Sequence, residues 1–272
     1  MRRAPATAKL NLALVAGPVR PDGKHEVLTV LQRLDLADRV EIETAPRLSV
    51  TGFTADTLVR RALEALAGAA GVEPSWHARL TKRIPVAAGL GGGSSDAATA
   101  LRLANETLPQ PLGPGDLRRI AAALGADVPF FLTSGPQLGR GDGTDLEPLG
   151  LPQDYWVLLL EPYGEEKTST SDVYSRFDAR NGAVGFEERR SALEGAVAAV
   201  RRPRDLATLP PNDLISSPLA DDLCDLGAFR ADVTGAGPLV YGLFHHQAAA
   251  AAARRALAGL GATWITIPAW YG

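Results

Sequence analysis

Apolar and polar residues alternate from Lys9 to Val15. Leu10, Leu12 and Leu14 face one way, and Lys9, Asn11 and Ala13 the other, which predicts a half-buried strand. Gly17-Pro18 ends it, and Pro21-Asp22-Gly23 reads as a turn. Residues 27–36 and 39–44 read as two further strands, and 48–51 allows a short one. Asp56 fits an N-cap, with Leu58, Val59, Ala62, Leu63 and Leu66 recurring at helical spacing behind it. Residues 76–82 are strand-like. A helix is expected from Ser95 to Asn105 and another from Asp116 to Leu124, where Gly125 would stop it. Residues 126–131 are short and irregular, and 137–149 predict a hairpin around Gly141-Asp142-Gly143.

A boundary falls near Gly150-Leu151-Pro152, dividing the chain into 1–150 and 151–272. Beyond it the pattern predicts a buried strand at 156–160 and helices at 170–179 and 189–200. A loop covers 201–204, and 213–226 reads as partly helical. Residues 232–237 lead into a strand at 239–244. A helix at 247–260 and a strand at 263–267 close the chain. The mixture is that of an α/β or α+β protein.

Composition narrows the classes. The 272 residues are 46% hydrophobic, enough for a sizeable core, and carry a net charge of −3. The charges are interspersed, so no face for nucleic acid stands out. A single cysteine, Cys224, excludes an internal disulfide framework and suits a reducing, cytoplasmic setting. No run approaches the roughly 18 apolar residues of a membrane span. Pro5, Lys9 and Asn11 interrupt any signal-peptide core.

The chemistry concentrates in Pro85-Val86-Ala87-Ala88-Gly89-Leu90-Gly91-Gly92-Gly93-Ser94-Ser95, a glycine-rich loop that opens into a helix. Glycines let an anion approach the backbone, and the first amides and dipole of a helix attract phosphate. Ser94 or Ser95 can cap that helix. The pattern is neither a P-loop, since no Lys follows Gly93, nor a dinucleotide fingerprint, since Ser94 stands where the third glycine belongs. Asp96 admits two readings, a Mg²⁺ bridge to a phosphate or an outward-pointing helix-start carboxylate. Elsewhere, Lys9 shares a strand face with Asn11 in a chain that otherwise prefers Arg. Asp127 lies between apolar residues, either as a helix-end group or as a partly buried acid that Lys9 could pair.

Pro-x-x-x-Gly-Leu-Gly-Gly-Gly-Ser-Ser-Asp-Ala-Ala resembles the ATP loop of the GHMP kinases. Ala8-Lys9-Leu10-Asn11-Leu12 and Gly125-Ala126-Asp127-Val128-Pro129 resemble further segments of that family, as does Asp22-Gly23-Lys24-His25. Val233-Thr234-Gly235-Ala236-Gly237 resembles its third motif, and Asn212-Asp213 a pair without an assigned role. The motifs occur in the family's order along nearly the whole chain.

The resemblance implies two lobes, the first like domain 2 of ribosomal protein S5 and the second ferredoxin-like, with ATP and acceptor in the cleft between them. It is greatest to the member acting in the non-mevalonate route to isoprenoids. That member moves the γ-phosphoryl of ATP, with Mg²⁺, onto the 2-hydroxyl of a cytidine-diphosphate-linked methylerythritol. It implies Lys9 and Asp127 as the catalytic pair. Asn11, His25, Lys24, Thr170 and Tyr174 would take the acceptor, with His25 reading the cytosine, and Thr234, Gly235, Ala236 and Gly237 would approach the ATP loop. Lys24 departs from the family, which has a stacking aromatic there; a Lys stem can still cover an apolar face. The implied protein is a monomer or weak homodimer with a small-molecule partner and neither nucleic acid nor membrane. The alternatives are a homoserine- or mevalonate-type kinase, or a catalytically silent nucleotide-binding protein.

Overall fold

The computed structural model describes residues 1–53, 58–165 and 169–269. The expected N-cap Asp56 lies outside them. The chain forms two compact units, neither continuous in sequence. The first comprises Met1–Ala8, Leu36–Val86 and Gly91–Ser134, and the second Lys9–Asp35, Ala87–Leu90 and Gly135–Gly272. The boundary expected at 150 falls inside the last of these segments.

Two long strands run through both units: β1 (Arg2–Val19) and β2 (His25–Thr44). β1 is not half-buried as the alternation predicts, for every position from Ala6 to Gly17 is buried. The reason is that both faces are covered. Leu14 and Ala16 pack under Val173 and Phe177. On the other face Asn11 lies against Thr234, whose hydroxyl accepts the Asn11 backbone N–H at 2.9 Å. β2 is one strand where the sequence suggests two. Asp38 interrupts the apolar pattern without ending the strand, because its carboxylate is buried and accepts the amides of Arg83 and Ile84.

In the first unit, β2 pairs antiparallel with β4 (Trp76–Thr81), and β4 pairs parallel with β3 (Ser49–Thr51). α1 (Leu58–Ala70) buries Val59, Ala62, Leu63 and Leu66, the apolar positions that predict it apart from its first residue, Leu58. It packs on α2 (Gly92–Asn105), whose run of alanines lets two helices approach closely. α3 (Pro114–Leu124) follows, with Pro114 at its first position. Residues 126–131 become a turn leading into a 3-10 turn at Pro129–Leu132.

In the second unit, β2 pairs with β5 (Gln137–Arg140), which forms the predicted hairpin with β6 (Asp145–Pro148). The remaining strands, β7 (Trp156–Pro162), β8 (Arg230–Val233), β9 (Val240–Phe244) and β10 (Gly261–Thr266), form one antiparallel sheet. Its order is β10-β7-β9-β8. Together with α4 (Thr170–Ala179), α5 (Phe186–Ala199), α6 (Pro218–Asp225) and α7 (Gln247–Ala256), this is the ferredoxin-like arrangement expected of the second lobe. Leu158, Leu160, Val240 and Phe244 of the sheet meet Leu223, Ala250 and Leu257 in its core.

β8 is not expected from the sequence, and it carries a buried Arg230. Its guanidinium is satisfied by the carbonyls of Leu12 and Leu209, each at 2.6 Å, and by the Tyr241 hydroxyl at 3.1 Å. The second half of the loop expected at 201–204 instead opens a 3-10 turn, Pro203–Thr208.

Candidate active site

α2 starts three residues earlier than Ser95, at Gly92, and Gly91 caps it in the left-handed conformation (φ 70°) with no side-chain cap. Ser94 and Ser95 are therefore first-turn residues. The Ser95 amide closes the first helical bond, onto the Gly91 carbonyl at 2.9 Å. The amides of Gly92, Gly93 and Ser94 precede that bond, as the orphan donors of a helix start do. A side chain added at Gly93 would meet nothing within 4 Å, whereas one at Gly92 would come 3.2 Å from the Ile84 side chain.

Asp96 follows neither sequence reading. It is fully buried and points inward, 2.6 Å from Lys82 Nζ. Among the described residues no group of three or more His, Cys, Asp or Glu side chains could hold a metal ion.

The second unit gathers Lys9, Asn11, the middle of the glycine loop and the loop 234–237. Lys9 is 5% exposed; its Nζ donates to Asn11 Oδ1 at 2.7 Å, and its backbone amide donates to the Leu90 carbonyl at 2.9 Å. Asn11 Nδ2 donates in turn to Thr29 Oγ1 at 2.8 Å. Gly235 (φ +58°) sits so close that an added Cβ would lie 3.3 Å from Asn11 Oδ1 and 3.7 Å from Lys9 Nζ. Gly89 (φ +80°) is equally confined, its Cβ position 3.3 Å from the Thr234 carbonyl. The third-motif loop thus meets the glycine loop at Gly89. A buried ammonium needs polar company to offset lost hydration, and Asn11 supplies part of it. Asp127 is half-buried, in the turn between α3 and Pro129 of the first unit.

A second cluster forms around His25. Its ring stacks on Tyr174 with centroids 4.4 Å apart, meets Phe177 edge-on at 6.0 Å, and places Nε2 2.8 Å from Asp178 Oδ1.

The description "GHMP kinases N terminal domain" matches residues 57–135. A protein from Anaeromyxobacter sp. (strain Fw109-5), named 4-diphosphocytidyl-2-C-methyl-D-erythritol kinase, is 38% identical over 93% of this chain and 85% of its own. The chain belongs to the 4-diphosphocytidyl-2-C-methyl-D-erythritol kinase family. A member from Pelotomaculum thermopropionicum is likewise 38% identical, over 88% of this chain and 87% of its own. The crystal structure of a 4-(cytidine 5'-diphospho)-2C-methyl-D-erythritol kinase superposes with a TM-score of 0.79 at 30% identity, covering 98% of this chain and all of that one. A mevalonate kinase structure superposes at 0.76 with 13% identity, covering 98% and 99% of the two chains, a likeness of fold.

Lys24 does not join the His25–Tyr174 stack. Its ammonium turns to Asp142 of the β5–β6 hairpin at 2.5 Å, and that hydrogen bond raises its pKa. Thr170 is exposed at the first turn of α4, one helical turn before Tyr174. Asn212 gains a role the sequence leaves blank. Its Nδ2 donates to the carbonyls of Val233 (3.0 Å) and Gly235 (2.7 Å), holding the third-motif loop. Asp213 accepts the Ala16 amide at 3.0 Å and Arg189 Nε at 2.9 Å. The partners Asp178, Thr29 and Lys82 are missed by sequence reasoning. Only Lys82 leaves a signal there, as one of four lysines in an arginine-rich chain.

Proposed function

We infer that this chain transfers the γ-phosphoryl of ATP to the 2-hydroxyl of 4-diphosphocytidyl-2-C-methyl-D-erythritol, in the non-mevalonate route to isoprenoid precursors. The observation that carries the reading is the buried Lys9 ammonium, whose own backbone amide anchors the glycine loop. A cation beside the phosphate cradle is what phosphoryl transfer asks of a protein, which otherwise only positions its reactants. The relatives' names supply the acceptor.

In the proposed reaction the α2 amides and the glycine loop receive the nucleotide phosphates. The acceptor oxygen attacks the γ-phosphorus as the bond to the β,γ-bridging oxygen breaks and ADP leaves. Asp127 takes the hydroxyl proton, and Lys9 steadies the incoming oxygen. Mg²⁺ accompanies ATP and offsets phosphate charge. His25 and Tyr174 take the cytosine, with Asn11 and Thr170 toward the rest of the acceptor. Lys24 stands at the margin of that site, engaged with Asp142. The protein is placed in the cytoplasm, as a monomer or weak homodimer; its single cysteine suits a reducing compartment.

Asp127→Asn tests the mechanism. Losing a general base costs about 10²- to 10⁴-fold in rate, so kcat is expected to fall at least that far while ATP affinity stays within a few fold. ADP release would be followed with the cytidylylated alcohol, homoserine and mevalonate in parallel. Full turnover by the variant removes Asp127 from the mechanism, and a preference for homoserine or mevalonate removes the assigned acceptor.

A further inference from the structure

We propose that Asp38, Lys82 and Asp96 form a positioning bridge that holds the two ends of the glycine loop at the spacing nucleotide binding requires. The proposal rests on the reading of that loop as the ATP site. All three residues belong to the first unit.

Lys82 lies just past the end of β4, three residues before Pro85, and Asp96 is the fifth residue of α2, one turn beyond Gly92. Lys82 Nζ donates to Asp38 Oδ2 at 2.5 Å and to Asp96 Oδ2 at 2.6 Å, and both carboxylate side chains are fully buried. The second oxygen of Asp38 accepts the amides of Arg83 (2.5 Å) and Ile84 (2.8 Å), the last residues before the loop. Asp38 also borders the helix start, for a Cβ at Gly92 would come 3.4 Å from its Oδ2. One ion cluster therefore grips the chain immediately before the loop and immediately after it. Burial alone would lower the Lys82 pKa, but Asp96 and Asp38 outweigh it and raise it, so the ammonium stays charged.

The chemistry favours a geometric role. Replacing buried ions by apolar residues of similar volume is often neutral or stabilising, since buried ions lose hydration that their attraction only partly restores, so stability alone does not call for this cluster. What the ions add is direction. Charge-assisted hydrogen bonds are short and fix where the Arg83 and Ile84 amides and the α2 backbone lie. The amides of Gly92 to Ser94 recognise phosphate only while they converge on it, and a displacement of about 1 Å can cost about 10²-fold.

The test compares Asp96→Ala and Asp96→Asn with wild type. It uses calorimetric titration with ATP-Mg²⁺ and steady-state kinetics in which ATP and the cytidylylated alcohol are varied separately. Asp96→Ala leaves Lys82 and Asp38 as a neutral pair, and its Kd and KM for ATP are expected to rise about 10-fold or more, with the acceptor KM within about 2-fold. Asp96→Asn keeps a carbonyl for Lys82 and is expected to bind ATP within about 3-fold of wild type. Should Asp96→Ala not accumulate folded, Lys82→Arg takes its place. A longer, forked cation changes the span and is expected to give the same ATP-selective loss. Unchanged ATP affinity in the variant used, equal losses for both substrates, or no rescue by Asn overturns the bridge. A wild-type protein that binds no ATP overturns the reading of the loop itself, which separates the two failures.

Discussion

Asn212 is the side chain on which the third-motif loop hangs, and removing it has a calculable cost. It is 8% exposed and makes three hydrogen bonds, donating to the Val233 and Gly235 carbonyls and accepting the Leu214 amide at 2.9 Å. Each is worth about 1 kcal/mol net, and buried groups left unpaired lose more. Asn212→Ala is therefore expected to lower the unfolding free energy by about 3 kcal/mol, read as a lower urea midpoint at unchanged slope. Asn212→Asp keeps an acceptor for Leu214 but turns a carboxylate oxygen toward two carbonyls, so it is expected to fare no better than Ala. The loss should reach function, because Gly235 lies against Asn11 and Lys9. Turnover of the Ala variant is expected to drop even at temperatures where it remains folded. A loss below about 1 kcal/mol, or an Asp variant as stable as wild type, would refute the assignment of these hydrogen bonds to loop positioning.

Two further outcomes follow from the second cluster and the hairpin. Tyr174→Leu removes the ring stacked on His25; base stacking contributes about 1–3 kcal/mol, so the acceptor KM is expected to rise about 10-fold or more while the ATP KM holds, and an unchanged acceptor KM would exclude Tyr174 from the base site. Asp142→Asn probes the pair with Lys24: burial pushes the Asp142 carboxyl up, but the hydrogen bonds from Lys24 and Thr144 outweigh it and hold its pKa below the ordinary 3.8. A depressed folded pKa stabilises the protein above 3.8 and the gain is lost as pH falls through the lower folded value, so the stability gap between wild type and variant should be constant near neutrality and close only in acid; a gap that closes at higher pH would contradict the pairing.

Local pattern carried the fold a long way, and long-range partners account for what it missed. Helix α1 announces itself through four buried positions at helical spacing, and the β5–β6 hairpin through its glycines. Asp38 reads as a strand break because its partner Lys82 lies 44 residues away. The strand at Arg230 goes unread because the carbonyl of Leu12 that satisfies this guanidinium is 218 residues distant. At the site, the shared face of Lys9 and Asn11 is legible from two-residue periodicity, and their hydrogen bond follows. The link between His25 and Asp178 spans 153 residues and has no sequence signal. The early start of α2 escaped notice because serines are the common caps, whereas here a left-handed glycine does the turning.

Residue 9 ties down the glycine loop with its main chain and offers an ammonium with its side chain. The two tasks are thus separable at a single position. Nineteen of the twenty genetically encoded amino acids supply that amide, proline alone lacking it. The tether to the loop therefore asks for no particular side chain, and what lysine adds at this position is the ammonium held against Asn11.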